Sequence, residues 1–190
     1  PMKQDDEAAR EDRLLATCWS SAGDAASDRR DLRSPLNLRE RIEAASGAGF
    51  RGFGLLSADL PAAEKEYGLS GIRAMLDDNG MVDLELEGIP YWWDDGPHRE
   101  ESDRIRHDLL RAAEVLGARH IKVTPDGDDA PWDREHWAAK FAELATQAQN
   151  AGTRLGIEFF PWSNIKTLHD GLQLVEDAGH AAAGVVVDAW

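Results

Sequence analysis

The sequence predicts an α/β protein of the (β/α)₈ TIM barrel class, truncated after strand 6, with six strands and five helices present. Three observations predict this fold. Apolar stripes at helical spacing alternate with short aliphatic runs, and a glycine follows each helix-like segment. No G-x-G-x-x-G turn follows the first strand. Because a doubly wound sheet usually carries such a phosphate-binding turn, the barrel is the better prediction.

The strands are predicted from short β-branched or aliphatic runs that stand between polar segments. In chain order they cover residues 14–19, 50–57, 82–89, 119–124, 154–160 and 184–190. The helices are predicted from apolar residues three or four positions apart. Their five stripes begin, in chain order, at Leu38, Leu69, Ile105, Trp137 and Ile165. Helices that alternate with strands at this spacing predict βα units and a parallel sheet.

The glycines that end the helices set the length of the repeat, because glycine just past a helix end takes the left-handed cap conformation. Successive glycines are 31, 37, 35 and 27 residues apart, at Gly49, Gly80, Gly117, Gly152 and Gly179. Six units in about 175 residues extrapolate to eight units in roughly 250 residues, the usual length of a barrel. A proline also precedes Met2, and the chain stops inside a strand-like run. We therefore expect a fragment.

Composition limits the location and the partners of the protein. Its 190 residues, 42% hydrophobic and 30% charged, are typical of one soluble domain, and no apolar run approaches the ~20 residues of a membrane span. Residues 1–13 are polar and acidic, so we expect a disordered lead-in before a barrel domain at 14–190. The single cysteine, Cys18, fits a reducing cytoplasm. A net charge of −15 argues against nucleic acid and anionic membranes as partners.

Alternation along the strands turns several charged side chains toward the barrel axis. Leu155 and Ile157 suit the helix-facing side of the fifth strand, so Glu158 faces the axis, and the valines of the sixth strand place Asp188 inward in the same way. Both carboxylates then lie at the C-terminal ends of neighbouring strands, where barrel active sites are found. The same alternation turns these residues inward: Glu85, Glu87, Lys122 and Thr124.

Two inward carboxylates on neighbouring strands need a positive partner. Oxygen ligands favour Mg²⁺ or Mn²⁺, with Zn²⁺ or Co²⁺ as alternatives. The competing interpretation is a plain ion pair between Glu158 and Lys122 across the barrel. Lys122 and Glu87 are also candidates for substrate binding.

The aromatic residues near the predicted barrel mouth are further candidates for substrate binding. Trp92 and Trp93 follow the third strand and Trp162 follows the fifth. Aromatic faces suit the C–H face of a carbohydrate ring, but each of these residues can equally anchor its loop. His120 is expected at the opposite end of the barrel from the site, and Cys18 is expected to pack in the core.

Three segments together resemble the xylose isomerase-like TIM barrel superfamily. They read LGIEFFP at 155–161, KTLHDGLQLVEDAG at 166–179 and GVVVDAW at 184–190. The superfamily contains the sugar phosphate isomerase/epimerase proteins and, more distantly, endonuclease IV. The resemblance covers residues 14–190, is strongest after residue 150 and is only architectural before residue 120.

The resemblance implies a divalent metal held by Glu from strand 5, Asp from strand 6, His from strand 7 and Glu from strand 8. Glu158 and Asp188 match the first two positions, and the other two would lie beyond residue 190. It also implies that Glu158 doubles as the acid and base that moves a proton through an enediolate.

The function predicted from the sequence is that of a cytoplasmic, divalent-metal-dependent isomerase or epimerase of a sugar or sugar phosphate. The chain alone is expected to bind metal weakly and to be inactive. A dehydratase or eliminase acting on a keto-sugar or inosose at the same site is the main alternative. A non-catalytic barrel subunit is another alternative. Under any of these functions the partners are a small carbohydrate substrate and, as an open alternative, further copies of the chain in a homo-oligomer. An endonuclease IV-like nuclease is opposed by the acidic charge and by strand ends, LLSAD and LEGIPYWW, that lack histidine.

Overall fold

The computed structural model describes residues 13–127 and 131–188. In these residues six strands form one sheet in the order β1-β2-β3-β4-β5-β6, and every neighbouring pair is parallel. The strands are β1 Leu15–Ala16, β2 Gly52–Leu56, β3 Asp83–Glu87, β4 His120–Val123, β5 Leu155–Glu158 and β6 Ala183–Val186. The helices are α1 Leu38–Gly47, α2 Leu60–Asp78, α3 Arg99–Leu116, α4 Arg134–Asn150 and α5 Leu168–Ala178. This confirms the predicted parallel α/β architecture with strands in chain order.

The helix-ending glycines confirm the predicted repeat. All five have positive φ angles, between 60° and 93°. The α5 helix starts later than its apolar stripe predicts, because Thr167 and Asp170 form a reciprocal capping box. Ile165, the first residue of that stripe, lies in the preceding loop and is completely buried there.

Other elements also differ in extent from the prediction, and the sixth strand ends at Val186, before Val187 and Asp188 of its predicted range. The first strand ends at Ala16, and Cys18–Ser21 form a 3₁₀ turn in which the Ser20 N–H donates to the Thr17 carbonyl at 3.0 Å. The second helix starts at Leu60, nine residues before its predicted stripe, with a break at Gly68 (φ 65°). Residues 1–12 of the predicted lead-in and residues 189–190 of the predicted sixth strand lie outside the described residues.

The outer face of the sheet forms the hydrophobic core with the helices. Phe53, Leu86, Ile121 and Ile157 are at most 1% exposed and belong to the same cluster as residues of all five helices. Alternation then leaves the opposite, inner face for the charged residues. Within the described part of the chain, no helix combines the length and the apolar character needed to cross a membrane.

A glycine on the inner face of β2 allows the chain after β1 to pass close to the sheet. A Cβ atom on Gly54 would lie 2.5 Å from the Cys18 backbone nitrogen and 2.9 Å from the Thr17 carbonyl carbon. We expect Gly54→Ala to lower the free energy of unfolding by about 1–3 kcal/mol, measured by urea denaturation, because backbone atoms must move. The control is Gly47→Ala at the end of α1, where no atom lies within 4 Å of the added Cβ. Equal losses in the two variants would contradict this account.

Candidate functional site

A buried ion-pair cluster connects β3, β4 and β5 on the inner face. The Lys122 Nζ atom lies 3.2 Å from Glu87 Oε2 and 3.1 Å from Glu158 Oε2. All three side chains are at least 94% buried. Register explains the geometry, because Lys122 is the partner of Glu87 on β3 and of Gly156 on β5, and Glu158 is the next inward residue. The predicted inward orientation of these three residues is therefore confirmed.

A second polar pair lies one step deeper on the same face. His120 pairs in register with Glu85, and the His120 Nε2 atom is 2.6 Å from Glu85 Oε2. The expectation that His120 lies at the opposite end of the barrel from the site is confirmed, because it is the first residue of β4, but its inward contact with Glu85 was not predicted. The sequence contained a signal for this orientation. Side chains two positions apart on a strand point to the same face, and His120 is two positions before Lys122.

The charges of the cluster perturb its own proton equilibria. Burial raises the pKa of Glu158 to about 7, against the opposing effect of Lys122, and the carboxylates of Glu87 and Asp188 add to the rise. Burial lowers the pKa of Lys122, but the carboxylates of Glu87, Glu85 and Glu158 outweigh it and raise that pKa above its usual value. Lys122 therefore stays charged among an excess of carboxylates.

The cluster also leaves acceptor atoms unsatisfied. Among the described residues, Glu85 Oε1 and Glu87 Oε2 are buried without a hydrogen-bond partner, and Glu87 contacts Lys122 by charge alone. Cys18 is 1% exposed, which confirms its predicted packing, and burial together with the neighbouring Glu87 carboxylate raises the pKa of its thiol. Cys18 is thus a protonated neighbour of the cluster.

Asp188 lies at the outer edge of this face. Glu158 pairs in register with Val186, the last residue of β6, so Asp188 lies two residues beyond the end of the strand that was predicted to carry it, and it is exposed. Two carboxylates suit a hard divalent cation as ligands, and a cation would offset the repulsion from Glu87 and Asp188 that adds to the effect of burial on the Glu158 pKa. They do not fill a coordination sphere, since the described residues contain no group of three or more His, Cys, Asp or Glu side chains placed to hold a metal.

The two interpretations of Glu158 are therefore compatible in this structure. The ion pair with Lys122 is present. The metal role of Glu158 and Asp188 stays a prediction, for which these residues would supply two carboxylate ligands.

The aromatic residues after β3 belong to a packed cluster with α4. Trp92 is 4% exposed, its indole N–H donates to the Thr124 carbonyl at 2.9 Å, and its ring meets Trp137 edge-on at 4.8 Å. Trp93 stacks on Trp137 at 4.4 Å, and its carbonyl accepts a hydrogen bond from His136 at 2.7 Å. These contacts favour loop anchoring for Trp92 and Trp93, and their contact with substrate stays a prediction.

Trp162 is placed differently from the other predicted aromatic residues. It lies on the loop after β5, is 57% exposed, and stacks in parallel with Phe160 at a ring-centroid distance of 5.4 Å. It is the predicted aromatic contact that the structure leaves most open to solvent.

Comparison with solved structures finds the same fold in several proteins. The probable 3-DHS dehydratase AsbF from Bacillus anthracis has a TM-score of 0.70 at 13% identity, with 91% of this chain and 61% of that chain covered. The 3-keto-D-glucoside 4-epimerase YcjR from E. coli has a TM-score of 0.66 at 17% identity, with 80% and 63% covered. A xylose isomerase-like TIM barrel protein from Mycobacterium smegmatis in complex with magnesium has a TM-score of 0.59 at 20% identity, with 79% and 55% covered.

At such low identities, these similarities show that the chain shares the fold of the solved structures. The chain spans less than two thirds of each of these three solved chains. No curated protein matches it significantly. The family model described as xylose isomerase-like TIM barrel matches residues 42–190, which is most of the chain. The chain therefore belongs to the xylose isomerase-like TIM barrel family.

Proposed function

We propose that the complete gene product is a divalent-metal-dependent isomerase or epimerase that moves a proton on a carbohydrate. One observation carries the proposal. Glu158 ends β5 and Asp188 follows the neighbouring strand β6 by two residues, at the C-terminal edge where barrel enzymes do their chemistry, and the Asp188 carboxylate is close enough to add to the raised pKa of Glu158. The relatives of known structure support it, since one is an epimerase of a keto-glucoside and another contains magnesium.

The proposal assigns a different role to each residue of the site. In the proposal Glu158 and Asp188 each offer a carboxylate to the metal, and Glu158 also takes and returns the proton beside the substrate carbonyl. A bound divalent cation would polarise the carbonyl and hydroxyl oxygens of the substrate. Lys122 holds Glu158 Oε2 at 3.1 Å, so its proposed role is to orient the carboxylate. Buried as it is, Lys122 would affect the substrate mainly through Glu158.

The metal part of the proposal predicts a loss of affinity in Asp188→Asn. We expect metal removal by EDTA to stop turnover of the complete gene product and Mn²⁺ or Mg²⁺ to restore it. Asp188→Asn should weaken Mn²⁺ binding at least about tenfold, measured by calorimetry, because an amide oxygen carries no charge. Asp78→Asn removes the same charge from an exposed position on α2 and should leave the affinity unchanged. Equal affinities in the two variants would contradict the metal site.

A dehydratase that uses the same base is the second candidate, supported by the likeness to a probable 3-DHS dehydratase. Both reactions begin with removal of a proton beside a carbonyl, so the site residues do not separate them. Mass spectrometry of the product separates the two reactions. An isomerase or epimerase returns the mass of the substrate, whereas a dehydratase returns a product lighter by one water.

A further inference from the structure

The N-terminal edge of the sheet, opposite the proposed catalytic site, carries arginines although the chain is acidic. The αβ connections, which lie at this edge, cover residues 48–51, 79–82, 117–119, 151–154 and 179–182. None of them contains Asp or Glu, and three end in an arginine, namely Arg51, Arg119 and Arg154. Aspartate occurs instead in four of the five βα connections at the other edge. The two ends of the sheet therefore differ in charge, within a chain of net charge −15.

Two exposed aliphatic side chains flank Arg51 at the N-terminal edge. The Arg51 N–H donates to the Leu14 carbonyl at 3.0 Å, and the Val82 N–H donates to the Arg51 carbonyl at 2.8 Å. These three residues directly precede positions that pair in register on β1, β2 and β3, so they stand side by side. Leu14 is 66% exposed and Val82 is 58% exposed. Arg51 therefore lies between two apolar side chains that the core does not cover.

The carboxylate within this edge does not neutralise its arginines. Asp83 lies 3.5 Å from the Arg13 Nε atom and 3.4 Å from the Arg119 Nη1 atom, so one carboxylate serves two guanidinium groups. Arg51 and Arg154 are exposed, and neither forms an ion pair within the described part of the chain. An excess of guanidinium groups thus faces solvent. We define the basic edge as the surface formed by these residues: Arg13, Leu14, Arg51, Val82, Arg119 and Arg154.

The surroundings of the basic edge limit the kind of partner that it fits. Asp77 and Asp78 end α2 beside it, and Asp77 already contacts Arg73 at 2.7 Å. A long polyanion or an anionic membrane would extend beyond the arginines to such carboxylates, and charges within about 8 Å repel at physiological ionic strength. Phosphate groups also offer no apolar contact to Leu14 or Val82. A short acidic polypeptide segment with aliphatic side chains meets both requirements.

We infer that the basic edge is a docking surface for an acidic polypeptide segment of another protein, a segment that also carries aliphatic side chains. Arginine pairs with carboxylates through two parallel hydrogen bonds and is enriched at protein interfaces. A single exposed ion pair contributes little, so several arginines and both aliphatic side chains must act together. Barrel active sites lie at the opposite edge, so docking here leaves the proposed catalytic residues free.

The test measures binding of labelled probes to the 190-residue chain by fluorescence anisotropy. The main probe is a peptide that repeats Glu-Glu-Leu. The comparison probes are an oligoglutamate, a peptide that repeats Lys-Lys-Leu and a single-stranded DNA, all of the same length, and flotation measures binding to phosphatidylserine vesicles. The Glu-Glu-Leu peptide should bind most tightly, and added NaCl should weaken its binding because the arginines are exposed.

Substitution of the arginines should weaken the binding of the Glu-Glu-Leu peptide. Arg51→Ser combined with Arg154→Ser should reduce the affinity between about threefold and twentyfold, since two exposed ion pairs are lost. The matched control combines Arg30→Ser on the β1–α1 connection with Arg104→Ser on α3. It removes the same charge from exposed positions and should leave the affinity unchanged. Circular dichroism of each variant checks that the fold is retained.

Substitution of the aliphatic residues tests the apolar part of the surface. Leu14→Ser combined with Val82→Ser should weaken binding of the Glu-Glu-Leu peptide and leave that of oligoglutamate unchanged. The inference is overturned if the Glu-Glu-Leu peptide shows no saturable binding, or if oligoglutamate, the Lys-Lys-Leu peptide, the DNA or the vesicles bind as tightly. Equal affinities in the arginine variant and its control would overturn it as well.

Discussion

The Glu158→Gln variant of the complete gene product should lose metal-dependent turnover by about 100- to 10,000-fold, the range that a positioned acid or base contributes. Glutamine keeps the shape of the side chain but can neither accept the proton nor offer a charged ligand. Turnover is measured as kcat/KM with saturating Mn²⁺. The control is Glu135→Gln on the exposed surface of α4, which should keep full activity.

The same variant should keep its fold. Lys122 retains Glu87 at 3.2 Å after the substitution, and the cluster loses one of its excess buried carboxylates. We therefore expect no decrease in the urea midpoint of Glu158→Gln. Undiminished turnover in this variant would end the metal-site proposal, while loss of turnover together with unfolding would contradict the view that Glu158 is an excess carboxylate in the cluster.

The Lys122→Met variant should be strongly destabilised, with a loss of about 3–5 kcal/mol in the free energy of unfolding. Removing the ammonium leaves Glu87 and Glu158 as neighbouring buried carboxylates without their cation. Such a loss is a large share of the 5–15 kcal/mol that typically stabilises a domain. It is measured by urea denaturation of the 190-residue chain, and Lys65→Met at an exposed position on α2 is the control.

Neutralising the whole cluster should recover part of that loss. In a triple variant that adds Glu87→Gln and Glu158→Gln to Lys122→Met, no unpaired charge remains buried. We expect this variant to be more stable than Lys122→Met alone. If Lys122→Met matched the wild-type midpoint, Lys122 would not stabilise the cluster, and the orienting role proposed for it would lose its basis.

Much of the site could be predicted from the sequence because side chains alternate along a strand. Once Leu155 and Ile157 were placed toward the helices, Glu158 had to face inward, and the same reasoning placed Lys122 and Glu87. The prediction correctly placed His120 at the far end of the barrel from the site, but it did not assign the side chain to a face of the sheet. The alternation of side chains along β4 would have placed His120 on the inner face with Lys122, where it contacts Glu85.

The limits of the elements were less predictable than their order. The early start of α2 brings Leu60, which is 2% exposed, into the core, and the break at Gly68 was not visible in the apolar spacing. The burial of the aromatic residues could not be predicted from the sequence either. Composition cannot tell an anchoring tryptophan from an exposed one, and the hydrogen bond from the Trp92 indole to the Thr124 carbonyl depends on how the loop lies against the end of β4.

By itself the sequence determined the alternation of strands and helices, the helix-ending glycines and the inward face of the charged residues. These features depend on local spacing along the chain, since the helix repeat, the strand repeat and the left-handed cap are properties of neighbouring residues. Tertiary structure alone decided that Lys122 contacts both Glu87 and Glu158, that Trp92 is covered and that Trp162 is not. Such contacts join residues distant in the chain, and they depend on how closely strands and loops approach in three dimensions.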